Sequence, residues 1–279
     1  MRVVSMTLGA HLFLSVAGFA GPPLIENADL EVVSSQSSLG SQVETWTETV
    51  QGTAWLGWHV PMVDRDQVLC CQNQACSLES THRHFVSSSA RSGSPRAAEI
   101  LVILLRATDG QLEEMQIYSD GCRLDAGGSN LIWLEGVQPE ESVTFLDRLI
   151  EADPKIEDEA LMAMALHATP TAAERLAGMA RQSPDPDLRG EALFWLSHTG
   201  ASTASEVILL ALAEDPDAEV KDQALFALSQ LPDQEGIPLL LEILRDRSRP
   251  AAVREEAFFW YVQSGDEEAL DLIAEILRD

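Results

Sequence analysis

The chain has 279 residues, of which 46% are apolar, with 18 basic and 45 acidic side chains and a formal charge of −27. The apolar share can fill a sizeable core and excludes wholesale disorder. The charge excludes ordinary nucleic-acid binding, because no basic stripe is available against phosphates, and it opposes docking on an anionic lipid surface.

The acidity is uneven, since residues 136–279 hold 30 acidic and 11 basic side chains. At the start of the chain, Arg2 precedes an apolar run over residues 6–20 that closes on Gly18-Phe19-Ala20, before Gly21-Pro22-Pro23. A charged start, a short apolar middle and small residues at the exit predict a secretory signal over residues 1–20. The run is short for a membrane span, which needs about 20 residues. An uncleaved anchor is the alternative. The expected mature chain begins near Gly21, is secreted or periplasmic, and has no membrane span.

Residues 21–137 predict a small β-rich or mixed domain. Residues 30–33 and 54–63 read as strands, the second anchored by Trp55 and Trp58, with a Ser-rich loop over 34–38. Residues 87–95 form a polar loop. Residues 100–106, dense in β-branched residues and Leu, predict a buried strand. Asp109-Gly110 predicts a hairpin turn, with the return strand around Gln116-Ile117-Tyr118. A turn at Asp125-Ala126-Gly127-Gly128 leads into a strand over 131–134. There are four cysteines, Cys70, Cys71, Cys76 and Cys122. An even count in an exported chain predicts disulfides. Neighbouring strand residues point to opposite faces, so Cys70 and Cys71 each take one of Cys76 and Cys122. Free thiols are one alternative. A metal site that adds His82 and His84 to these cysteines is the other, although adjacent thiolates suit a tetrahedron poorly.

Residues 138–279 repeat themselves. Ala160, Ala192, Ala224 and Ala257 are in register at steps of 32, 32 and 33 residues. Ile156, Leu188, Val220 and Val253 precede them by four; Met164, Leu196, Leu228 and Tyr261 follow by four. These offsets share one helical face. A second helix follows each, carrying Leu176, Ile208, Leu240 and Ile273, and Pro or Gly punctuates the breaks. Each unit is thus a helix pair that hides its apolar faces only by stacking on its neighbours. Residues 142–150 have no complete repeat around them, which predicts a lone helix docking on the first unit.

The units resemble HEAT repeats of the short bacterial kind, including those grouped with phycobilisome-lyase proteins, through Asp185…Leu188-Arg189…Ala192…Leu196, Asp217…Val220-Lys221…Ala224…Leu228 and Val253-Arg254…Ala257. The resemblance implies an α-solenoid of about four helix pairs. It also implies an inter-repeat ladder of Asp153, Asp185 and Asp217 with Arg189, Lys221 and Arg254, lacking rungs at Glu157 and Pro250. The front half resembles the N-terminal part of some exported bacterial HEAT proteins in Trp55-Leu56-Gly57-Trp58, Cys70-Cys71 and Cys122-Arg123-Leu124-Asp125. That likeness implies no chemistry. The iron site of the HEAT-repeat deoxyhypusine hydroxylases needs His-Glu dipeptides, and this chain has none.

The chain has no phosphate-binding Gly-Lys-Ser/Thr loop and no Gly-x-Ser-x-Gly elbow. Asp120 and Asp125 flank Cys122 as turn formers. Two positions after each register alanine stand Met162, Phe194, Phe226 and Phe259, with Trp195 and Trp260 beside them. Either these rings make a partner-binding ridge or neighbouring helices cover them. The fold expected is α+β, a β-rich domain followed by a helical array. The expected function is a non-catalytic, monomeric, exported protein-binding scaffold with no cofactor and no metal. The alternative is an envelope enzyme or metal-dependent accessory centred on Cys70, Cys71, Cys76, His82, His84 and Cys122.

Overall fold

Residues 100–105 are apolar at both parities, and only a strand covered on both faces hides such a run. The computed structural model, which describes residues 22–63, 69–71, 75–79, 86–87 and 99–265, buries it in that way. The described strands are β1 (Ile25–Glu26), β2 (Asp29–Ser34), β3 (Thr53–Pro61), β4 (Leu69–Cys70), β5 (Cys76–Ser77), β6 (Val86–Ser87), β7 (Ile100–Thr108), β8 (Gln111–Ser119), β9 (Leu124–Asp125) and β10 (Asn130–Glu135), with helix α1 (Leu39–Thr49) between β2 and β3. There follow α2 (Pro139–Ala152), α3 (Glu157–Leu166), α4 (Pro170–Gln182), α5 (Pro186–Ser197), α6 (Ala204–Glu214), α7 (Ala218–Ser229), α8 (Gly236–Arg245) and α9 (Ala251–Gln263). The molecule is α+β, a sheet-rich front followed by a run of helices.

The main sheet has the order β2-β10-β3-β7-β8, in which β10 runs parallel to both its neighbours and β3, β7 and β8 are antiparallel. Leu101, Ile103 and Leu105 of β7 face the helices, together with Leu56, Trp58 and Val60 of β3. Val102 and Leu104 face the other way, with Trp55, Tyr118, Leu131 and Trp133, against the short parallel sheet β1-β9-β5. Asp109-Gly110 forms the β7–β8 turn with both φ positive, at 48° and 84°.

Helix α1 follows directly on the Ser-rich segment 34–38 and has no counterpart among the expected elements. Ser38 caps it by accepting from the Ser41 amide, and Leu39, Val43 and Trp46 bury one stripe on the sheet. Gly40 and the threonines give the segment little helix propensity, so its helicity depends on that tertiary burial. The loop expected over 87–95 and the second helix of the fourth repeat lie outside the described residues, apart from β6, which pairs with β4.

Ala160, Ala192, Ala224 and Ala257 are all fully buried. First helices α3, α5, α7 and α9 adjoin one another in one layer, and second helices α4 and α6 adjoin in another. Helix α2 packs on both α3 and α4. A single apolar core runs without a break from Leu39 through the sheet to Tyr261. Backbone bonds join its halves, Val63 donating to the Leu166 carbonyl and Ala168 to that of Pro61. At the start of α8, a Cβ on Gly236 would overlap the Leu228 carbonyl oxygen, an atom the α7 backbone cannot easily move. Gly236→Ala should lower the urea-unfolding free energy by about 2 kcal/mol through overpacking; a midpoint equal to wild type would show that α8 shifts freely.

Candidate functional site: an aromatic row on the first-helix layer

At about 100° per residue, the second position after the register alanine lies about 200° round the helix from it, and the third returns to about 60° from it on the flank between the two. There α5 carries Phe194 and Trp195, α7 carries Phe226, and α9 carries Phe259 and Trp260. The structure brings all five together. Phe194 stacks on Phe226 at 5.4 Å and 8° between planes, and Phe226 meets Trp260 at 4.6 Å. Trp195 lies edge-on to Phe194 at 4.9 Å, as Phe259 does to Trp260 at the other end. His198 extends the row against Phe194 at 4.5 Å, its Nδ1 directed to the Phe194 carbonyl oxygen at 2.9 Å. Gly190 helps the helices approach, since a Cβ there would lie 3.0 Å from Gln223 Cγ on α7. The rings are half-buried except Phe259, which is 47% exposed. The row is therefore partly covered by its own stacking and partly open to solvent. Met162, at the same place in the first repeat, is half-buried and packs on the core.

Acids border this row. One and two positions before the register alanine stand Asp158 and Glu159, Gly190 and Glu191, Asp222 and Gln223, and Glu255 and Glu256. These columns lie within about 60° of the phenylalanine column on the same helices and hold no Lys or Arg. The effect is visible at Glu191. Burial, followed by repulsion from Asp158, Glu157, Asp187 and Asp185, pushes its carboxyl up to about 7, and Glu191 Oε2 has no hydrogen-bond partner among the described residues. Glu157 is raised for the same reasons. A carboxyl raised on folding binds protons more tightly in the native state, so its destabilising effect grows from about pH 4.5 upward and is complete above about 7. Glu191→Gln should therefore stabilise the protein by about 0.5–1 kcal/mol at pH 8, solvent screening having cut the full effect, and leave it unchanged at pH 4. Thermal melts at both pH values check this.

The columns of the expected ladder serve different ends. Asp185 and Asp217 cap α5 and α7 by accepting from the Asp187 and Glu219 amides, and Asp153 accepts from the Lys155 amide. Arg189 pairs instead with Asp215 at the end of α6, the second helix of its own pair, through two bonds of 2.8 and 2.9 Å between largely buried groups, and it also donates to the Ser183 carbonyl. Hydrogen bonding to Arg189 holds the Asp215 carboxyl below its usual range, with Lys221 adding a smaller pull. Asp215 was legible as the residue after α6 but stands two positions before the aspartate of the repeat motif. Arg254 is half-buried, its Nε without a partner among the described residues.

The cysteines form Cys70–Cys122 and Cys71–Cys76, one of the two pairings that neighbour geometry left open. No thiolate then remains to ligate a metal, and His82 and His84 lie outside the described residues. Among the described residues, no cluster of three or more His, Cys, Asp or Glu is placed to hold a metal ion.

One Ser–His pair is buried between the layers, unannounced by any sequence motif. His167 Nδ1 donates to the Ala163 carbonyl at 2.7 Å, which leaves Nε2 to accept from Ser142 Oγ at 2.9 Å; Ser142 in turn accepts from Trp58 Nε1 at 2.9 Å. Ser142 is 0% exposed and His167 2%. The imidazole has a backbone carbonyl where a catalytic triad has a carboxylate, and the three side chains satisfy one another, so the group fastens the sheet to α2 and α3.

Residues 205–279 match the family model described as HEAT repeats. No curated protein matches the chain. The matched stretch spans α6 to α9 and so includes Phe226, Phe259 and Trp260.

Proposed function

We propose that this chain is an exported, non-catalytic scaffold that binds another protein through the aromatic row of its first-helix layer. HEAT repeats commonly serve as protein-interaction scaffolds, which supports the binding part of this reading. The observation that carries it is the continuity of the row, because rings from three successive repeats stack into one strip whose end, Phe259, is 47% exposed. Aromatic clusters with an exposed edge are the usual anchors of protein interfaces. Two closed disulfides fit an oxidising compartment and support export. No described helix is long and apolar enough to cross a membrane. The sheet-rich front caps the first repeat through the shared core, and the monomer is the working unit.

The test is a photo-crosslinking residue placed at position 259, and separately at the exposed position 242 on α8, with irradiation in the cells that make the protein. Adducts specific to 259 support the reading, and identical adducts from both positions, or none from 259, overturn it. Stability separates the row's two roles. Phe226→Ser, which removes a ring stacked on both sides, should cost about 2 kcal/mol. Phe259→Ser should cost under about 0.5 kcal/mol while removing the adduct that a crosslinker at 263 gives.

A further inference from the structure

We propose that the segment taken up by the aromatic row is cationic, a lysine- or arginine-bearing stretch of a partner polypeptide; this rests on the protein-binding reading above and names its partner's chemistry.

The argument begins with what the face lacks. Of the residues in the two columns before the register alanines and the two after, those that carry charge are all acids, Asp158, Glu159, Glu191, Asp222, Glu255 and Glu256. The basic column, Arg189, Lys221 and Arg254, stands three positions before the alanines, about 140° round each helix from the phenylalanines. Arg189 is moreover committed to Asp215. No cation of these columns reaches the row, and no ion pair among the described residues involves Glu191, Asp222, Glu255 or Glu256. Acids dominate the field at the Glu191 end of the row, where four neighbouring carboxylates add their repulsion to the effect of burial.

Aromatic faces add to the same preference. Their quadrupole is negative above the ring, so a guanidinium or ammonium laid on an indole or phenyl face is attracted, and more strongly where carboxylates stand beside it. Residues three and four apart on a helix are neighbours, which sets Glu191 beside Phe194, Asp222 beside Phe226, and Glu255 and Glu256 beside Phe259. Each repeat that offers a ring thus offers a carboxylate one turn before it. The spacing repeats with the helices, about 8–10 Å apart, so cations at every third residue of an extended segment find equivalent seats. The stems of Lys and Arg cover ring surface while their heads reach the acids. A second copy of this chain, itself at −27, would meet repulsion at long range, and an anionic or purely apolar segment would leave the carboxylates to be desolvated without a partner.

The test uses three fluorescent peptides of equal length, in which every third residue of a Gly-Ser background is Arg, Leu or Glu, titrated into the full chain at low and at physiological salt. The Arg peptide should bind best, and its affinity should fall as salt rises. Phe259→Ser should weaken it about fivefold, the worth of one exposed cation–π contact. Asp222→Asn with Glu255→Gln should weaken it about threefold, as expected of exposed ion pairs. Glu214→Gln with Glu242→Gln, the same change in charge on the second-helix layer, should leave it unchanged. If both double variants lose affinity alike and Phe259→Ser loses none, the peptide feels net charge only and the proposal fails. Stronger binding of the Leu peptide also overturns it. Should no peptide bind while the adduct at 259 persists, the cationic partner is wrong and the binding face stands; loss of the adduct removes both.

Discussion

Replacing Cys70 and Cys122 together by alanine should lower the unfolding free energy by about 4 kcal/mol in the chain-entropy account, in which releasing a long closed loop enlarges the unfolded ensemble. The two residues are 52 apart in sequence, and the bond ties β4 to the turn that leads into β9. That turn roofs the outer face of the sheet, where Cys76, Leu78, Cys122 and Leu124 cover Trp55, Val102, Leu104 and Trp133. Cys71–Cys76 closes a separation of only 5, so removing it should cost about half as much. Urea unfolding of both double variants, with and without reductant, checks the order. Reductant should bring the wild type down to the variants. Curves that coincide throughout would mean that the roof is held by packing alone.

Ser142→Ala should cost about 3 kcal/mol, although it deletes a single oxygen. That oxygen accepts from Trp58 and donates to His167, both fully enclosed. Its loss orphans a buried donor and a buried acceptor at once, each worth about 1–3 kcal/mol. The same site governs acid stability. Burial depresses His167 from 6.5 to about 4, against smaller opposing pulls from its bond to Ala163 and from Glu140. A depressed folded value means that the contribution is fully present above about pH 6.5 and is lost as pH falls through about 4, where the enclosed ring must take a proton. About 3 kcal/mol disappears across that window. His167→Gln keeps an amide for Ser142 and Ala163 but has nothing to titrate, so its stability should run flatter between pH 6.5 and 4. An equally steep fall would shift the acid response to the carboxylates.

The helical half was readable because its period is enforced residue by residue. An alanine recurs every 32 or 33 positions, and all four are fully buried in the helical core. The aromatic positions were also readable by register, but their relation was not. That Phe194 stacks on Phe226 while Phe226 meets Trp260 and not Phe259 depends on the rotation of α9 against α7. In the sheet, the buried run of β7 and the Asp109-Gly110 turn announced themselves by composition. Helix α1 did not, because Gly40 and its threonines speak against a helix that the sheet face then stabilises.

What the chain specifies locally is therefore its periodicities: helix pairs that must stack, a strand apolar on both faces, four cysteines that neighbour geometry limits to two pairings, and an excess of acids over bases. Those follow from side-chain size, charge and spacing, which a linear order carries. What only the folded molecule decided is which distant groups meet. The choice of Cys122 for Cys70, of Asp215 for Arg189, and of Ser142 and His167 to fasten Trp58 to the helices each joins residues 25 to 84 positions apart. Such pairings depend on how the layers turn against one another, a quantity set by the packing of the whole core and written in no single segment.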